Sequence, residues 1–252
     1  MNRNFALALL IFIMHGCATL DHPADPNDPL ERYNRTVYKF NDKVDTYLLK
    51  PVAKGYDAIT PNPLQKAINN FFSNLDDVVV VVNDLLQLKP VQMASDTGRL
   101  VLNSSLGLFG LIDWASDIGL EKHNEDFGQT LGYWGMPAGP YFILPFLGPS
   151  TIRDTGGLVT DSYYFDPLLR EVESDFPPPP RNPESLVWNL TILDAVDTRA
   201  KLLKSEKILD AAALDPYVFL REAWLQRRNY MVNDGVTSNT DEFFNEDELF
   251  RE

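Results

Sequence analysis

The 252-residue chain has very little cysteine: Cys17 is the only one, and it directly follows an apolar N-terminal run. A single thiol cannot form an intramolecular disulfide or supply a cysteine-rich metal site. Residues 5–14 are too few to span a bilayer but suit a secretory signal after the positive Arg3. A small residue before cysteine, here Gly16, is the pattern at which bacterial lipoproteins are cleaved and acylated. We therefore expect a signal peptide over residues 1–16 and a lipidated Cys17; the alternative is an ordinary signal or anchored N-terminus with an incidental cysteine.

The residues after the cysteine favour the outer membrane. In many Gram-negative bacteria an aspartate directly after the lipidated cysteine retains a lipoprotein in the inner membrane, and Ala18 and Thr19 stand here instead. Residues 17–27 are polar and rich in proline, so they predict a short tether. One acyl chain binds a membrane only marginally, so stable attachment requires two or three.

Positive charge is scarce as well. Lysine and arginine total 22 against 36 aspartate and glutamate residues, which gives a formal net charge of -14. This balance argues against nucleic acid as a partner, because such binding depends on neutralising phosphates with Lys and Arg. It also disfavours electrostatic adsorption to anionic lipid. Membrane contact must then come from acyl chains and apolar surface.

Catalytic and cofactor-binding motifs are absent from the sequence. There is no P-loop, no G-x-S-x-G, no G-x-G-x-x-G and no H-E-x-x-H. The cluster 123–126 is the one local group that could bind a metal, but a charged loop before a helix is the preferred interpretation. Arg153 could contact a phosphate headgroup, and an ion pair with Asp154 is the preferred alternative. We expect no enzyme activity, no metal and no cofactor.

Two stretches lack charge, residues 100–112 and 128–152. The first is too short to cross a bilayer, and four prolines prevent the second from forming a regular transmembrane helix. Their aromatic residues belong either to core loops or to apolar surface at the depth of one leaflet, where Trp and Tyr favour the interface. The candidates for lipid or membrane contact are Phe109, Tyr133, Trp134, Tyr141, Phe142 and Phe146.

The hydrophobic periodicity predicts an all-α fold. Asp28 and Glu31 match a capping box around Pro29, and an apolar face at helical spacing follows as far as Pro51, which should bend or end the helix. A second long helix is expected over 63–88, although its valine run resembles a strand. A third begins at Pro90 and breaks near the glycines at 107 and 110. No alternating pattern is long enough to predict a sheet.

Helix starts continue in the C-terminal half. Thr151 and Asp154 match a second capping box, and the glycines 156–157 suggest close backbone packing. Two more helices are expected, the last beginning at Asp215 and Pro216. The domain should extend over 28–230, and residues 231–252 read as an acidic disordered tail.

Several segments, in the same order, resemble the MlaA (VacJ) lipoprotein family of Gram-negative bacteria. The most specific is Gly139 to Asp154, with the sequence GPYFILPFLGPSTIRD. The other matching pieces are residues 28–35, 69–75, 125–132, 215–217 and 221–223. The similarity covers about residues 28–230 and leaves the acidic tail outside.

The resemblance implies a ring-shaped helical protein whose amphipathic helices are seated in the inner leaflet of the outer membrane. Such proteins remove misplaced phospholipid from the outer leaflet through an amphipathic channel and pass it to a soluble, MlaC-like periplasmic carrier. An inner-membrane ABC transporter follows in the pathway, and trimeric porins are the expected outer-membrane partners. The family implies no enzyme activity and no cofactor. Two alternatives remain: a lipidated porin-binding adaptor without a lipid conduit, and a phospholipase, which lacks a recognisable nucleophile–base pair.

Overall fold

The computed structural model describes residues 28–167, 183–212 and 215–235. Cys17, the tether, the proline run 177–180 and the acidic tail beyond residue 235 lie outside these ranges. The described chain is mostly helical, which confirms the predicted all-α class. Its helices are α1 (Glu31–Val44), α2 (Lys50–Ile59), α3 (Asn62–Leu86), α4 (Pro90–Ser105), α5 (Trp114–Asp117), α6 (Phe127–Tyr133), α7 (Ile152–Thr160), α8 (Pro183–Ala212) and α9 (Pro216–Val232).

The rod that begins at Glu31 changes helix type before it reaches Pro51. A π-helical segment, Asp45–Leu49, joins α1 to α2, and the backbone N–H of Lys50 bonds the carbonyl of Asp45. Pro51 then lies in the first turn of α2, which continues directly from the π segment because Leu49 and Lys50 both keep helical backbone angles. The helical path therefore does not end at Pro51, which corrects that part of the prediction: the helix type changes ahead of the proline, and α2 continues to Ile59.

A short hairpin departs from the expectation that the chain has no sheet. Strand β1 (Tyr141–Leu144) pairs antiparallel with β2 (Gly148–Thr151), with Tyr141 opposite Thr151 and Leu144 opposite Gly148. Four-residue strands in a proline-rich stretch give too few alternations to be recognised. Asn34 supports β1 from α1, because its Oδ1 accepts from Ile143 N at 2.9 Å and its Nδ2 donates to Tyr141 O at 3.3 Å.

Asp28 does not cap the first helix, which corrects the capping-box prediction. The N-cap position is Leu30, and no side chain bonds to the free N–H groups there. The fully buried Asp28 carboxylate instead accepts from Asn34 at 3.1 Å, from Arg221 at 3.2 Å and from the Tyr217 hydroxyl. The side chain is drawn towards α9 because that helix supplies two donors, so Asp28 joins the start of the domain to its end.

The small hydrophobic core lies where α1, β1 and α9 meet. Val37, Tyr141, Ile143 and Tyr217 form it, and partly buried Trp224 packs against it. Most other large apolar side chains of the described residues are exposed, including Leu48 at 64%, Leu64 at 52% and Leu85 at 58%. The apolar stripes that the sequence predicts therefore exist as helix faces, but they do not supply most of the interior.

Candidate functional site

Buried polar side chains fill the contact between α3 and α4. On α3 the buried residues include Asn74, Asp77, Asn83 and Asp84, with only Phe72 and Val80 as apolar members. On α4 the buried residues are Asp96, Arg99 and Asn103. Burying polar groups is costly unless they are hydrogen-bonded, so this interior depends on side-chain bonding and not on apolar packing alone.

One hydrogen-bond chain runs from α3 to α6 and onward to the segment after α7. Gln87 Nε2 donates to Glu125 Oε2 at 2.9 Å and to Thr130 Oγ1 at 3.1 Å. Thr130 Oγ1 donates to Asn83 Oδ1 at 2.7 Å, and Asn83 Nδ2 donates to Asp161 Oδ1 at 3.1 Å. Burial raises the pKa of Asp161 to about 6, against the lowering effect of its hydrogen bonds. The chain joins α3, α6 and the segment after α7 through buried polar side chains.

The aromatic candidates divide into exposed and buried side chains. Phe109 is 78% exposed, Phe146 71%, Trp134 61% and Tyr133 45%, whereas Phe142 is half-buried. Tyr141 is only 5% exposed and its ring belongs to the core. Tyr141 was expected among the surface aromatics, and this position corrects that expectation, because its alternation in β1 points it at α9.

The exposed aromatics occupy three separate patches. Trp134 stacks edge-on against Tyr133 at 5.5 Å and its Nε1 donates to Leu86 O at 3.0 Å, beside the C-terminal end of α3. Phe109 lies in the loop after α4. The next residue, Gly110, packs so closely on Asn74 that a Cβ added to Gly110 would lie 2.5 Å from the Asn74 Cβ. Twelve residues of α3 separate Asn74 from Leu86, or about 18 Å of helix. Phe146 is at the hairpin tip and contacts Phe40 edge-on at 5.1 Å.

Backbone strain accompanies two of these patches. Leu108, Phe109 and Phe146 have φ values of 54°, 60° and 67°, a left-handed conformation that side chains other than glycine rarely adopt. Such strain persists only where neighbouring structure holds it, and it is concentrated at functional sites. Leu106, Leu111 and Ile112 extend the Phe109 patch, and Leu147 extends the Phe146 patch.

Arg153 takes the position that the ion-pair interpretation predicted. Its side chain is buried, and its guanidinium bonds the Asp154 carboxylate at 3.1 Å and Met136 O at 3.4 Å. Arg228 lies on the other side, bonding Asp126 at 2.6 Å and Asp154 at 2.8 Å. Both arginines are held by protein carboxylates, so a role for Arg153 in contacting a headgroup has no support in this geometry.

The cluster 123–126 also behaves as the charged-loop interpretation predicted. His123 Nδ1 lies 2.8 Å from Asp96 Oδ2, and Asp126 caps α6 by accepting from Gln129 N at 2.9 Å. Within the described ranges no three His, Cys, Asp or Glu side chains are arranged to hold a metal ion. A cleft of about 600 Å³ opens beside His123, and its one lysine, Lys89, is bonded to Glu125 at 3.0 Å and to Asp234.

Sequence reasoning missed most of the buried polar residues. Asn74, Asp77, Asp84 and Gln87 recur on α3 with the same helical period as the apolar stripe, and this second periodicity was the signal that could have identified them. Partners far apart in the chain, such as Arg228 and Asp126, leave no local sequence pattern that could have identified them.

In the described segments, no helix combines the length and the apolar composition needed to cross a bilayer.

The fold and surface define a class: helical proteins with a polar interior, a small core and exposed apolar loops. The chain belongs to the MlaA lipoprotein family, whose profile matches residues 26–231. This confirms the resemblance seen in the sequence motifs.

Named relatives agree over nearly the whole chain. The intermembrane phospholipid transport system lipoprotein MlaA of Escherichia coli K12 is 36% identical over 92% of this chain and 90% of its own length. The protein of the same name from Haemophilus influenzae is 34% identical over 98% and 97%. A solved structure from work on the structural basis for maintenance of bacterial outer membrane lipid asymmetry superposes with a TM-score of 0.68 at 35% identity, covering 82% of this chain and 99% of that one.

Proposed function

We propose that this protein is a lipid-anchored phospholipid transporter of the outer membrane. It sits in the inner leaflet, takes mislocalised phospholipid from the outer leaflet through an amphipathic path, and passes it to a soluble periplasmic carrier. The family membership and the relatives' names support the phospholipid-transport role. Trimeric porins are the proposed outer-membrane partners, as the family resemblance implies.

The observation that carries the proposal is the inverted distribution of polar and apolar side chains. Helices α3 and α4 bury Asn, Asp and Arg side chains, whereas leucines and aromatics are exposed in the loops that follow α4 and α6 and at the hairpin tip. In water such an arrangement exposes apolar surface that favours association. In one leaflet, the same loops are solvated by acyl chains, and Trp and Tyr reside favourably at the interface.

A polar interior also suits the transported molecule. A phospholipid that crosses a leaflet must keep its charged phosphate out of hydrocarbon, because burying an unpaired charge is very costly. A wall that presents amides and hydroxyls to the headgroup, beside apolar surface for the tails, lowers that cost. Lipid handling of this kind needs no nucleophile, metal or cofactor.

The experiment that tests the function measures phospholipid on the cell surface. A strain lacking the protein should accumulate outer-leaflet phospholipid, detected with an added lipase or by lipid A palmitoylation. The wild-type gene should restore the normal level, whereas Cys17→Ala should fail to restore it because the protein loses its acyl anchor. Unchanged surface phospholipid together with altered porin abundance would replace the transporter by the adaptor without a conduit.

Membrane contact by the exposed aromatics makes a separate prediction. In the unacylated mature chain carrying Cys17→Ala, we expect Trp134→Ser to weaken binding to zwitterionic vesicles about tenfold, since removing a membrane-buried aromatic costs on the order of 1–2 kcal/mol. Neutral lipid removes the contribution of the protein's negative charge. Phe109→Ser and Phe146→Ser should act similarly, and sedimentation with vesicles measures each.

The matched control is Trp188→Ser, because Trp188 is 68% exposed but lies on α8 and belongs to none of the three patches. It should leave vesicle binding within twofold of the parent. Equal losses for Trp134→Ser and Trp188→Ser would show that the patches have no special membrane role. Thermal melting of each variant separates weakened binding from unfolding.

A further inference from the structure

Two aspartates meet in the buried contact between α3 and α4. Asp84, near the end of α3, and Asp96, on the second turn of α4, are both fully buried. Besides burial, the charge of Asp96 and hydrogen bonding to it raise the pKa of Asp84, so the two carboxyl groups lie close together. Asp84 Oδ1 accepts from Gln92 Nε2 at 2.8 Å, and Asp96 Oδ2 contacts His123 Nδ1 at 2.8 Å. The remaining oxygens, Asp84 Oδ2 and Asp96 Oδ1, have no donor in the protein. Two carboxylates cannot bond each other without a proton between them.

We propose that Asp84 and Asp96 share one proton, and that this proton clasps α3 to α4. The clasp lies beside a strained turn. Leu88 has a φ of 59°, and the turn closes through the N–H of Lys89, which donates to the carbonyl of Asp84 at 3.0 Å. Strain of this kind persists only while the surrounding contacts hold it. Loss of the proton leaves two negative carboxylates side by side in a buried contact. Their repulsion then releases the turn at Leu88.

The charged groups around the pair do not neutralise it. Glu125 faces the pair from the loop before α6 and accepts from Gln92 Nε2 at 2.9 Å, which adds a negative charge. Lys89 faces it from the turn, but its ammonium bonds Glu125 and Asp234. Arg99 on α4 bonds Asp113, and Lys122 on the loop bonds Asp77, so both cations are directed at other carboxylates.

We expect the shared proton to be lost near neutral pH. Burial raises the pKa of Asp84 to about 7, with the charge of Asp96 and the hydrogen bond to it as the next causes. Its ordinary value is 3.8. A carboxyl whose pKa is raised by folding stabilises the fold fully below pH 3.8, and that contribution is lost as the pH rises through about 7.

The test follows the proton and the turn together on the full mature protein. Infrared spectroscopy should detect a protonated carboxyl at pH 5.5 that disappears by pH 8.5. Hydrogen exchange at residues 85–92, corrected for intrinsic rate, should accelerate at least tenfold over the same interval. Only the part of the proton linkage between pH 5.5 and about 7 falls within this interval, which sets a ceiling of about 30-fold. In Asp84→Asn the amide replaces the shared proton, accepting from Gln92 and donating to Asp96. The pH-dependent exchange should therefore vanish, and the infrared band should lose the intensity of one carboxyl while that of buried Asp161 remains.

Matched variants separate the clasp from other titrations. Asp117→Asn removes an exposed carboxyl and should behave as wild type. His123→Gln should retain the infrared band and the pH-dependent exchange; if it abolishes both, His123 is the titrating group and the clasp is wrong. A wild-type protein without a protonated carboxyl at pH 5.5 overturns the proposal directly, even if the Asp84 variants fail to fold. Asp96→Asn provides the reciprocal variant and should also be insensitive to pH.

Discussion

Replacing Arg228 by methionine should lower the free energy of unfolding by about 3 kcal/mol, because it breaks a largely buried ion pair network. The Arg228 side chain is 12% exposed and bonds Asp126 and Asp154, which belong to different helix starts. Methionine keeps most of the side-chain volume but leaves two carboxylates without their shared cation. Urea denaturation of the wild type and the variant at pH 7 measures the difference.

The stability difference between Arg228→Met and the wild type should also depend on pH in a defined direction. Burial raises the pKa of both Asp126 and Asp154, but the hydrogen bonds and charge of Arg228 outweigh burial and lower both values. In the wild type their stabilising contribution is therefore present above about pH 4 and is lost as the pH falls through the lowered pKa values. In Arg228→Met the pKa values rise, so the difference between variant and wild type should shrink towards pH 3.

The adjacent arginine supplies the control. Arg227 is exposed on the same turn of α9, and Arg227→Met should change the free energy of unfolding by less than about 0.5 kcal/mol. Equal effects of the two substitutions would mean that the network around Arg228 contributes only what an exposed charge does.

Helix boundaries were the most predictable part of this fold. Asp215 caps α9 by accepting from the N–H groups of Tyr217 and Val218, and Thr151 caps α7 by accepting from Asp154 N. Both follow from local chemistry within four residues, which a sequence displays directly. The valine run in α3 was also assigned correctly, since the helical period around it outweighs β propensity.

The buried faces were much less predictable. Periodicity shows that α3 has an apolar and a polar face, but it does not show which one the rest of the chain covers. In α3 the polar face is covered by α4 and α6, whose own polar side chains bond to part of it. The prediction for Asp28 failed for a related reason. The nearby helix start offered a capping position, but Tyr217 and Arg221, 189 and 193 residues later, offered stronger donors.

Gly157→Ala is the second substitution with a large expected effect. A Cβ on Gly157 would lie 2.3 Å from Gly128 N and 2.6 Å from Gly128 Cα. Both are backbone atoms of α6, so no side-chain rotation can relieve the clash. Overpacking a tight contact typically costs about 1–3 kcal/mol, and a backbone contact belongs at the upper end. After the gain of up to about 1 kcal/mol from replacing glycine in a helix, a net loss of about 2 kcal/mol is expected.

Gly156 makes the comparison decisive, because it lies in the same turn of α7 and a Cβ there has no atom within 4 Å. Gly156→Ala should raise the free energy of unfolding by as much as about 1 kcal/mol, so the two variants should differ by about 3 kcal/mol with opposite signs.

The close approach of α6 and α7 at Gly157 also brings Asp154 next to Gly128. A Cβ added to Gly128 would lie 2.7 Å from Asp154 Oδ1. Separating the helices should then weaken the Arg228 network as well. If Gly157→Ala is destabilising but its effect simply adds to that of Arg228→Met, the glycine contact and the ion network are independent; a smaller combined loss shows that the glycine contact positions the carboxylates.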